Sequence, residues 1–201
     1  MPAMDSPKTF AFWRNLFLYF YVFSLLGHFL EVAYSAFRVL VFGSQPFVTL
    51  MPSMVPLSPP YGIGAIILVV LAAPILQPIR KRFNKLKHHW LTNILFILIT
   101  FVVVTLLMAG VEIASGFFCI AIWGYNPFWH YSGPQAFFDG TVYLTNTLLF
   151  GLIGTFVLLA VIPPAQRFLA RSKQRTLTIV FWVLLITYAA DLTTTMLNLK
   201  V

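Results

Sequence analysis

From Glu31 to Phe47 the chain reads EVAYSAFRVLVFGSQPF, and from Glu112 to Phe128 it reads EIASGFFCIAIWGYNPF. The two stretches lie 81 residues apart and align without a gap. The identical pairs are Glu31/Glu112, Ala33/Ala114, Phe37/Phe118, Gly43/Gly124, Pro46/Pro127 and Phe47/Phe128. Only five residues of the chain are acidic, and a carboxylate inside an apolar run is costly unless it has a role. The repeat therefore predicts one shared role for Glu31 and Glu112.

The apolar composition predicts an all-α integral membrane protein. Hydrophobic residues make up 60% of the chain and charged residues 9%, with a mean hydropathy of +0.88, which excludes an ordinary soluble domain. A span needs about 20 apolar residues, and five runs are long enough. The predicted transmembrane helices are Phe12–Phe42, Tyr61–Ile79, Leu91–Trp123, Thr141–Ile162 and Leu177–Leu199. The first and third are too long for a perpendicular helix, so they must tilt, kink or project.

Basic residues predict how these helices are oriented. One cluster separates the second and third runs (Arg80, Lys81, Arg82, Lys85 and Lys87), and another separates the fourth and fifth (Arg167, Arg171, Lys173 and Arg175). Five spans place both clusters on one side, together with Lys8 and Arg14 near the N-terminus. By the positive-inside rule that side is cytoplasmic. The sequence thus predicts a multi-pass protein of the cell membrane, with the N-terminus cytoplasmic and the C-terminus outside.

The repeat also predicts the domain organisation. A single membrane domain, residues 1–201, contains repeat one (about 12–87), repeat two (about 91–175) and an extra helix (177–199). Each repeat has two spans, so the copies share one orientation and are related by an axis along the membrane normal. The outside loops, Gly43–Pro60 and Gly124–Gly140, are rich in proline, which opposes helix formation. Their aromatic residues suit the membrane interface, while a re-entrant position shielded from lipid is an open alternative.

A polar stripe in the first run marks a candidate site. Ser24, His28, Glu31, Ser35 and Arg38 recur at spacings of four, three, four and three, which places them on one helix face. The third run has a thinner version, comprising Thr105, Glu112, Ser115 and Cys119. We expect the two glutamates to face the helix bundle, in the outer half of the bilayer, and to line a cavity for a substrate head group or an ion. The alternative is that each carboxyl is protonated or pairs with a neighbour, such as His28 or Arg38 for Glu31.

Enzyme, cofactor and nucleic-acid signatures are weak or missing. The sequence has no Walker lysine motif, no HExxH and no GxSxG, so no cofactor is predicted. The single cysteine offers no disulfide framework, and His28 with Glu31 is a weak metal signal. The basic residues flank the spans instead of forming a separate domain, so nucleic-acid binding is not expected. Gly151 and Gly154 favour close helix packing.

Five motifs carry a resemblance to a known family. They are GHFLEV (Gly27–Val32), PPYGIGA (Pro59–Ala65), EIASG (Glu112–Gly116), WHYS (Trp129–Ser132) and FFDG (Phe137–Gly140). In this order they resemble the ABC-transporter type IV permeases of the CmpB kind, over about Phe17 to Pro164. The same motifs resemble a small animal family of multi-pass membrane proteins without a settled function. The resemblance implies a membrane permease fold.

Three positions depart from the family pattern. The family usually has Asp where this chain has His130, Trp at His28 and Asn at Asp139. A charge has moved between loop positions, so the resemblance does not imply an identical ligand. The candidate substrate-binding residues are Glu31, Glu112, His28, Arg38, Ser35, Ser115, Trp129, His130, Tyr131 and Asp139; no metal ligands are predicted.

These observations predict the membrane component of a transport system for a small or amphipathic solute. Membrane lipids are expected partners, together with a separate nucleotide-binding subunit if ATP is used, and a second copy of the chain. The first alternative is a membrane-embedded enzyme acting on lipids, with Glu31, Glu112 or His130 as acid or base. The second is a non-catalytic membrane assembly protein.

Overall fold

The computed structural model describes residues 7–43, 55–86, 89–126 and 129–198, and helices dominate these ranges. The α-helices are α1 Phe10–Phe42, α2 Pro59–Ile67, α3 Ala73–Phe83, α4 His89–Trp123, α5 Leu144–Phe156, α6 Ile162–Arg171 and α7 Gln174–Asn198. The short strands β1 (Ala136–Phe137) and β2 (Val142–Tyr143) form an antiparallel hairpin before α5. Most of the loop predicted at Gly43–Pro60 lies outside the described residues.

Five helical stretches are long and apolar enough to cross a membrane. They are Phe10–Val41, Pro59–Phe83, His89–Trp123, Leu144–Arg171 and Gln174–Thr194. The prediction of an all-α, multi-pass membrane protein with five spans is therefore confirmed. The second span begins at Pro59, which the sequence analysis placed in a loop, because proline is favoured in the first turn of a helix. The fourth begins at Leu144 because the residues before it belong to the hairpin.

The second and fourth spans each contain one π-helical turn. Leu68–Ala72 joins α2 to α3, and Val157–Val161 joins α5 to α6. Each turn is followed two residues later by a proline, Pro74 or Pro163. Proline has no backbone N–H and its ring crowds the carbonyl four residues earlier, so a widened turn lets the helix continue through it.

The two longest helices end in the same way. Gly43 (φ 59°) donates its N–H to Val39 O at 3.1 Å, and Gly124 (φ 77°) donates to Ile120 O at 2.8 Å. Both glycines have the left-handed conformation that glycine adopts without a Cβ penalty. The repeated glycine of the sequence is thus the stop signal of α1 and of α4. Their 33 and 35 residues correspond to about 50 Å each, longer than a hydrocarbon core of about 30 Å.

The described residues divide into two compact units. The first comprises residues 67–166, and its buried core is Leu68, Ala72, Leu76, Phe96, Val104 and Leu158. In this unit α4 packs against α5 and α3. The second comprises the described residues of 7–66 and 167–198. In this unit α1 packs against α7 around Leu18, Leu177 and Phe181.

Arg14 joins α1 to α7 in the second unit and is only 2% exposed. Its guanidinium donates to Gln174 Oε1 at 2.6 Å, Thr178 Oγ1 at 3.2 Å and Gln174 O at 3.3 Å, and twice to Asn15 Oδ1. These bonds use all five N–H donors of an arginine. Since Arg14 and Gln174 lie in the first turns of their helices, both helices begin at the same end of the unit. The sequence analysis used Arg14 as a charge signal alone and missed this structural role.

Candidate functional site

Glu31 is held by the residue that precedes α2. Ser58 Oγ donates to Glu31 Oε2 at 2.6 Å, and the backbone N–H of Ser58 donates to Ser24 O at 2.9 Å. The end of the first outside loop is therefore fastened to the polar stripe of α1. Along that stripe Ser24 and Ser35 are buried, while His28, Glu31 and Arg38 are partly buried.

Glu112 has a corresponding partner on α5. Thr147 Oγ1 lies 2.7 Å from Glu112 Oε2 and 3.2 Å from Tyr143 O, and Thr147 itself is buried. A hydroxyl has one proton to donate but can also accept. With a carboxylate, Thr147 donates to Glu112; with a carboxylic acid, Glu112 donates to Thr147, which then donates to Tyr143 O. This arrangement satisfies the glutamate in either protonation state.

One glycine in each helix pair allows the close approach that these bonds require. A Cβ added at Gly62 would collide with Ser24 Oγ and with the backbone oxygen of Phe20. A Cβ added at Gly151 would collide with the Thr105 side chain. Gly154 also faces α4, where a Cβ would lie 2.7 Å from Val104 Cγ1. Close backbone contact through small residues is how apolar helices pack in a membrane.

These contacts match between the two helix pairs. Ser24 and Thr105 are 81 residues apart, the same separation as Glu31 and Glu112. Their partners on the following helices are 89 residues apart. The matched partner positions are Ser58/Thr147, Gly62/Gly151, Ala65/Gly154, the two π turns, Pro74/Pro163 and Gln77/Gln166. The second loop is thus eight residues longer, and this stretch of chain contains the β-hairpin.

Tyr131 lies in the second loop, between α4 and β1, and its phenol is influenced by Glu112. Tyr131 donates its N–H to Gly140 O at 2.9 Å, and its ring lies 5.5 Å from that of Tyr143. Burial raises the pKa of the Tyr131 phenol above its ordinary value; its side-chain hydrogen bond with Asn146 opposes this, and the negative charge of Glu112 adds to it. The phenol therefore keeps its proton at neutral pH and lies within the electrostatic reach of the Glu112 carboxyl.

The same loop packs against α4 at Gly116, about one helical turn after Glu112. Trp129 Nε1 donates to Thr141 O at 2.8 Å, and Thr141 is buried. A Cβ added at Gly116 would collide with the Thr141 methyl group. The Glu112–Gly116 motif thus contributes a carboxyl and, four residues later, a glycine against which Thr141 of the second loop packs.

Asp139 belongs to the hairpin turn, His130 lies in the segment before β1, and both residues are exposed. Phe138, Asp139 and Gly140 all have positive φ, at 52°, 53° and 69°. Asp and Asn tolerate this conformation better than other non-glycine residues, which gives a conformational reason for either residue at Asp139. The His130 ring lies against Gly140, where a Cβ would be 2.6 Å from His130 Cε1.

Ser115, a predicted site residue, and Asp191, which was not predicted as one, each make a hydrogen bond. Ser115 Oγ donates to Val111 O at 2.6 Å, so its hydroxyl is bound to its own helix. Asp191 of α7 is buried, and its Oδ1 accepts the backbone N–H of Val55 at 3.2 Å. Asp191 therefore fixes the backbone three residues before Ser58, whose hydroxyl holds Glu31.

The sequence analysis did not name Ser58, Thr147 or Asn146 as site residues. Ser58 and Thr147 could have been found by aligning the second helices of the two repeats at an offset of 89 residues. The first helices align at 81, so the longer second loop conceals this match. Asn146 has no such signal. Within the described ranges, no group of three or more His, Cys, Asp or Glu residues could hold a metal ion.

Comparison with known proteins agrees with the motif resemblance. No curated protein and no solved structure matches the chain. A family model described as "Putative ABC-transporter type IV" matches residues 18–196. That range includes all or most of each of the five spans, both glutamates with their hydroxyl partners, and the second loop. The chain therefore belongs to the CmpB-type family of ABC transporters, as its motifs predicted.

Proposed function

We propose that the chain is the membrane component of a transport system for a small or amphipathic solute, with a polar site at Glu112. Membership of a transporter family and five apolar helices support the membrane and transport part of this proposal. The observation that carries the site is the hydrogen bond between Glu112 of α4 and Thr147 of α5, with Tyr131 of the second loop close enough for the carboxyl charge to act on its phenol. An ionisable group inside a membrane span is by default a functional candidate.

The chemistry of this cluster favours a solute whose polar end donates hydrogen bonds or carries positive charge. Glu112 supplies a negatively charged hydrogen-bond acceptor. The Thr147 hydroxyl and the Tyr131 phenol supply groups that can rotate to donate or accept a hydrogen bond. Glu112 lies 11 residues before the last residue of α4, which is about 17 Å along the helix. The head of an amphipathic solute would meet the carboxyl there while its tail stays among apolar side chains.

The Glu31–Ser58 pair supports a duplicated site. Glu31 also lies 11 residues before the last residue of its helix, and its serine partner occupies the position that matches Thr147. We propose that residues 12–87 and 91–175 are two repeats of the same membrane orientation, with 177–199 as an extra helix, and that each repeat holds one carboxyl–hydroxyl pair. A second occurrence of the same bond is harder to explain by packing alone.

The energy source in this proposal is a separate nucleotide-binding subunit. The sequence contains no Walker lysine motif, so the chain has no P-loop of its own. The basic ends of the second and fourth spans, including Arg80 and Arg171, would lie on the side where such a subunit binds. Membrane lipids surround the exposed apolar side chains, and a second copy of the chain remains a proposed partner.

The orientation can be tested by cysteine labelling in a variant whose Cys119 is replaced by serine. Single cysteines at Asn84 and Ser172 are expected to react with a membrane-impermeant maleimide only from the cytoplasm, and one at Ser132 only from outside. The basic clusters give the physical reason. Labelling of Asn84 and Ser132 from the same side would contradict the five-span topology, and labelling of Asn84 only from outside would contradict a cytoplasmic N-terminus.

A binding screen tests the proposed function directly. The purified full chain would be heated with panels of amines, amino alcohols, sugars and single-chain amphipaths, and its apparent melting temperature recorded. We expect a stabilising compound that carries a donor or a positive charge at its polar end. A panel in which stabilisation follows the apolar tail alone, whatever the head group, would contradict a polar site.

The enzyme alternative gives a different result in the same preparation. An isolated chain that converts a labelled phospholipid into a product, with Glu112→Gln abolishing the conversion, would replace transport by lipid chemistry. Uptake of a stabilising compound into cells that make the chain together with its nucleotide-binding subunit, without chemical change to the compound, supports the transport proposal.

A further inference from the structure

A cavity of about 430 Å³ lies in the first unit, and neither glutamate is among the residues that line it. One part of its wall is polar and contains Gln77, Arg80 and Asn93; the rest is apolar and includes Leu76, Phe96 and Leu159. Neither the sequence motifs nor the proposed transport site accounts for this combination. A cavity that is cationic at one end and apolar at the other fits an amphipathic anion.

Arg80 is fixed in place at the polar end. Its Nη1 donates to Asn93 Oδ1 at 2.8 Å, and its guanidinium carbon lies 4.8 Å from the centre of the Phe96 ring. Stacking and one hydrogen bond hold the guanidinium plane while using one of its five N–H donors. A planar guanidinium held in this way can bind a phosphate with two parallel hydrogen bonds.

The charges around the cavity favour an anion from outside the chain. The sequence has no acidic residue between Glu31 and Glu112, and no acidic side chain is found among the described residues that line the cavity. Lys81, Arg82 and Lys85 follow Arg80 directly. Positive charge here is therefore not balanced by the surrounding stretch of sequence.

The position along the helices identifies the anion as a lipid head group. Arg80 lies three residues before the last residue of α3, and Asn93 lies four residues after the first residue of α4. Both are within about one turn, roughly 6 Å, of a helix end, where head groups meet the hydrocarbon. Basic pockets between transmembrane helices at the positively charged side bind anionic lipid head groups.

We infer that this cavity binds an anionic phospholipid, with its phosphate on Arg80 and the beginning of an acyl chain against Leu76, Phe96 and Leu159. The Asn93 and Gln77 amides are further donors for the phosphate oxygens. This site is separate from the proposed transport site, and lipid bound here would hold the basic ends of α3 and α4 together. The inference can fail without affecting the role proposed for Glu112.

The test measures lipid affinity of the detergent-purified full chain by native mass spectrometry and thermal shift. Probes are phosphatidylglycerol, phosphatidylcholine and inorganic phosphate. We expect the wild type to prefer phosphatidylglycerol, and Arg80→Gln to bind it about tenfold more weakly, because a hydrogen bond to a charged group is lost. Arg82→Gln is the matched control: it removes the same charge from an exposed side chain of the same cluster and is expected to keep the preference.

A second variant keeps the test informative if Arg80→Gln folds poorly. Asn93→Asp places a carboxylate against Arg80, so the chain is expected to fold with at least wild-type stability and yet to lose the preference for phosphatidylglycerol. Equal losses in Arg80→Gln and Arg82→Gln would overturn the site in favour of diffuse surface charge. Full affinity in Asn93→Asp would overturn it too, and equal stabilisation by inorganic phosphate would show a site for a soluble anion instead of a lipid.

Discussion

Replacing Gly62 by alanine is expected to lower the apparent melting temperature of the chain. The added Cβ would collide with Ser24 Oγ and with the backbone oxygen of Phe20, and a backbone atom cannot rotate away. Overpacking of this kind costs about 1–3 kcal/mol, occasionally more, which exceeds the gain of about 1 kcal/mol in helix propensity. For a chain of this size, each kcal/mol corresponds to about 2–4 °C.

The equivalent change in the first unit is Gly151→Ala, which would collide with the Thr105 side chain. Gly110→Ala is the control, since a Cβ there has nothing within 4 Å, and it is expected to leave stability unchanged or slightly higher. Both effects would be read by thermal unfolding of the detergent-purified chain, followed by tryptophan fluorescence. Melting of Gly62→Ala at the wild-type temperature would mean that α1 and α2 do not pack as closely as described.

The second large effect is expected for Glu112→Gln, which should weaken binding of a stabilising solute by about 10- to 100-fold. The amide keeps the shape of the side chain and can still accept from Thr147 Oγ1, so folding should be preserved. What is lost is negative charge, and a hydrogen bond to a charged group contributes about 1.5–3 kcal/mol. Binding and transport would be measured beside the melting temperature, because a structural role would lower the latter instead.

Asp139→Asn is the matched control for Glu112→Gln. It removes the same charge from the exposed hairpin turn, which the site proposed at Glu112 does not include, and asparagine tolerates the positive φ at that position. Solute affinity should therefore be unchanged. Equal weakening in both variants would point to a general effect of charge and would contradict a site at Glu112. Glu31→Gln is expected to resemble Glu112→Gln if the repeats carry the same function.

The sequence predicted the carboxyls of the candidate site but not their hydroxyl partners. The carboxyls could be found because polar residues inside apolar runs are conspicuous and because Glu31 and Glu112 repeat without a gap. Their partners could not, because Ser58 and Thr147 are ordinary residues of loops and helices, and the eight extra residues of the second loop break the register between the copies. His130 and Asp139 were predicted from their loop motifs and are exposed in the structure, Asp139 on the hairpin turn and His130 against Gly140.

The sequence by itself determined the membrane class, the five spans and the ends of α1 and α4, because these depend on local quantities: the length of an apolar run and the left-handed conformation available to glycine. The tertiary structure decided which residues far apart in the sequence are in contact. It paired Arg14 with Gln174, which is 160 residues away, and it brought the hairpin onto Gly116 and Tyr131 to Glu112. Such contacts arise where packed helices bring distant parts of the chain together, and no local pattern in the sequence records which side chains will meet.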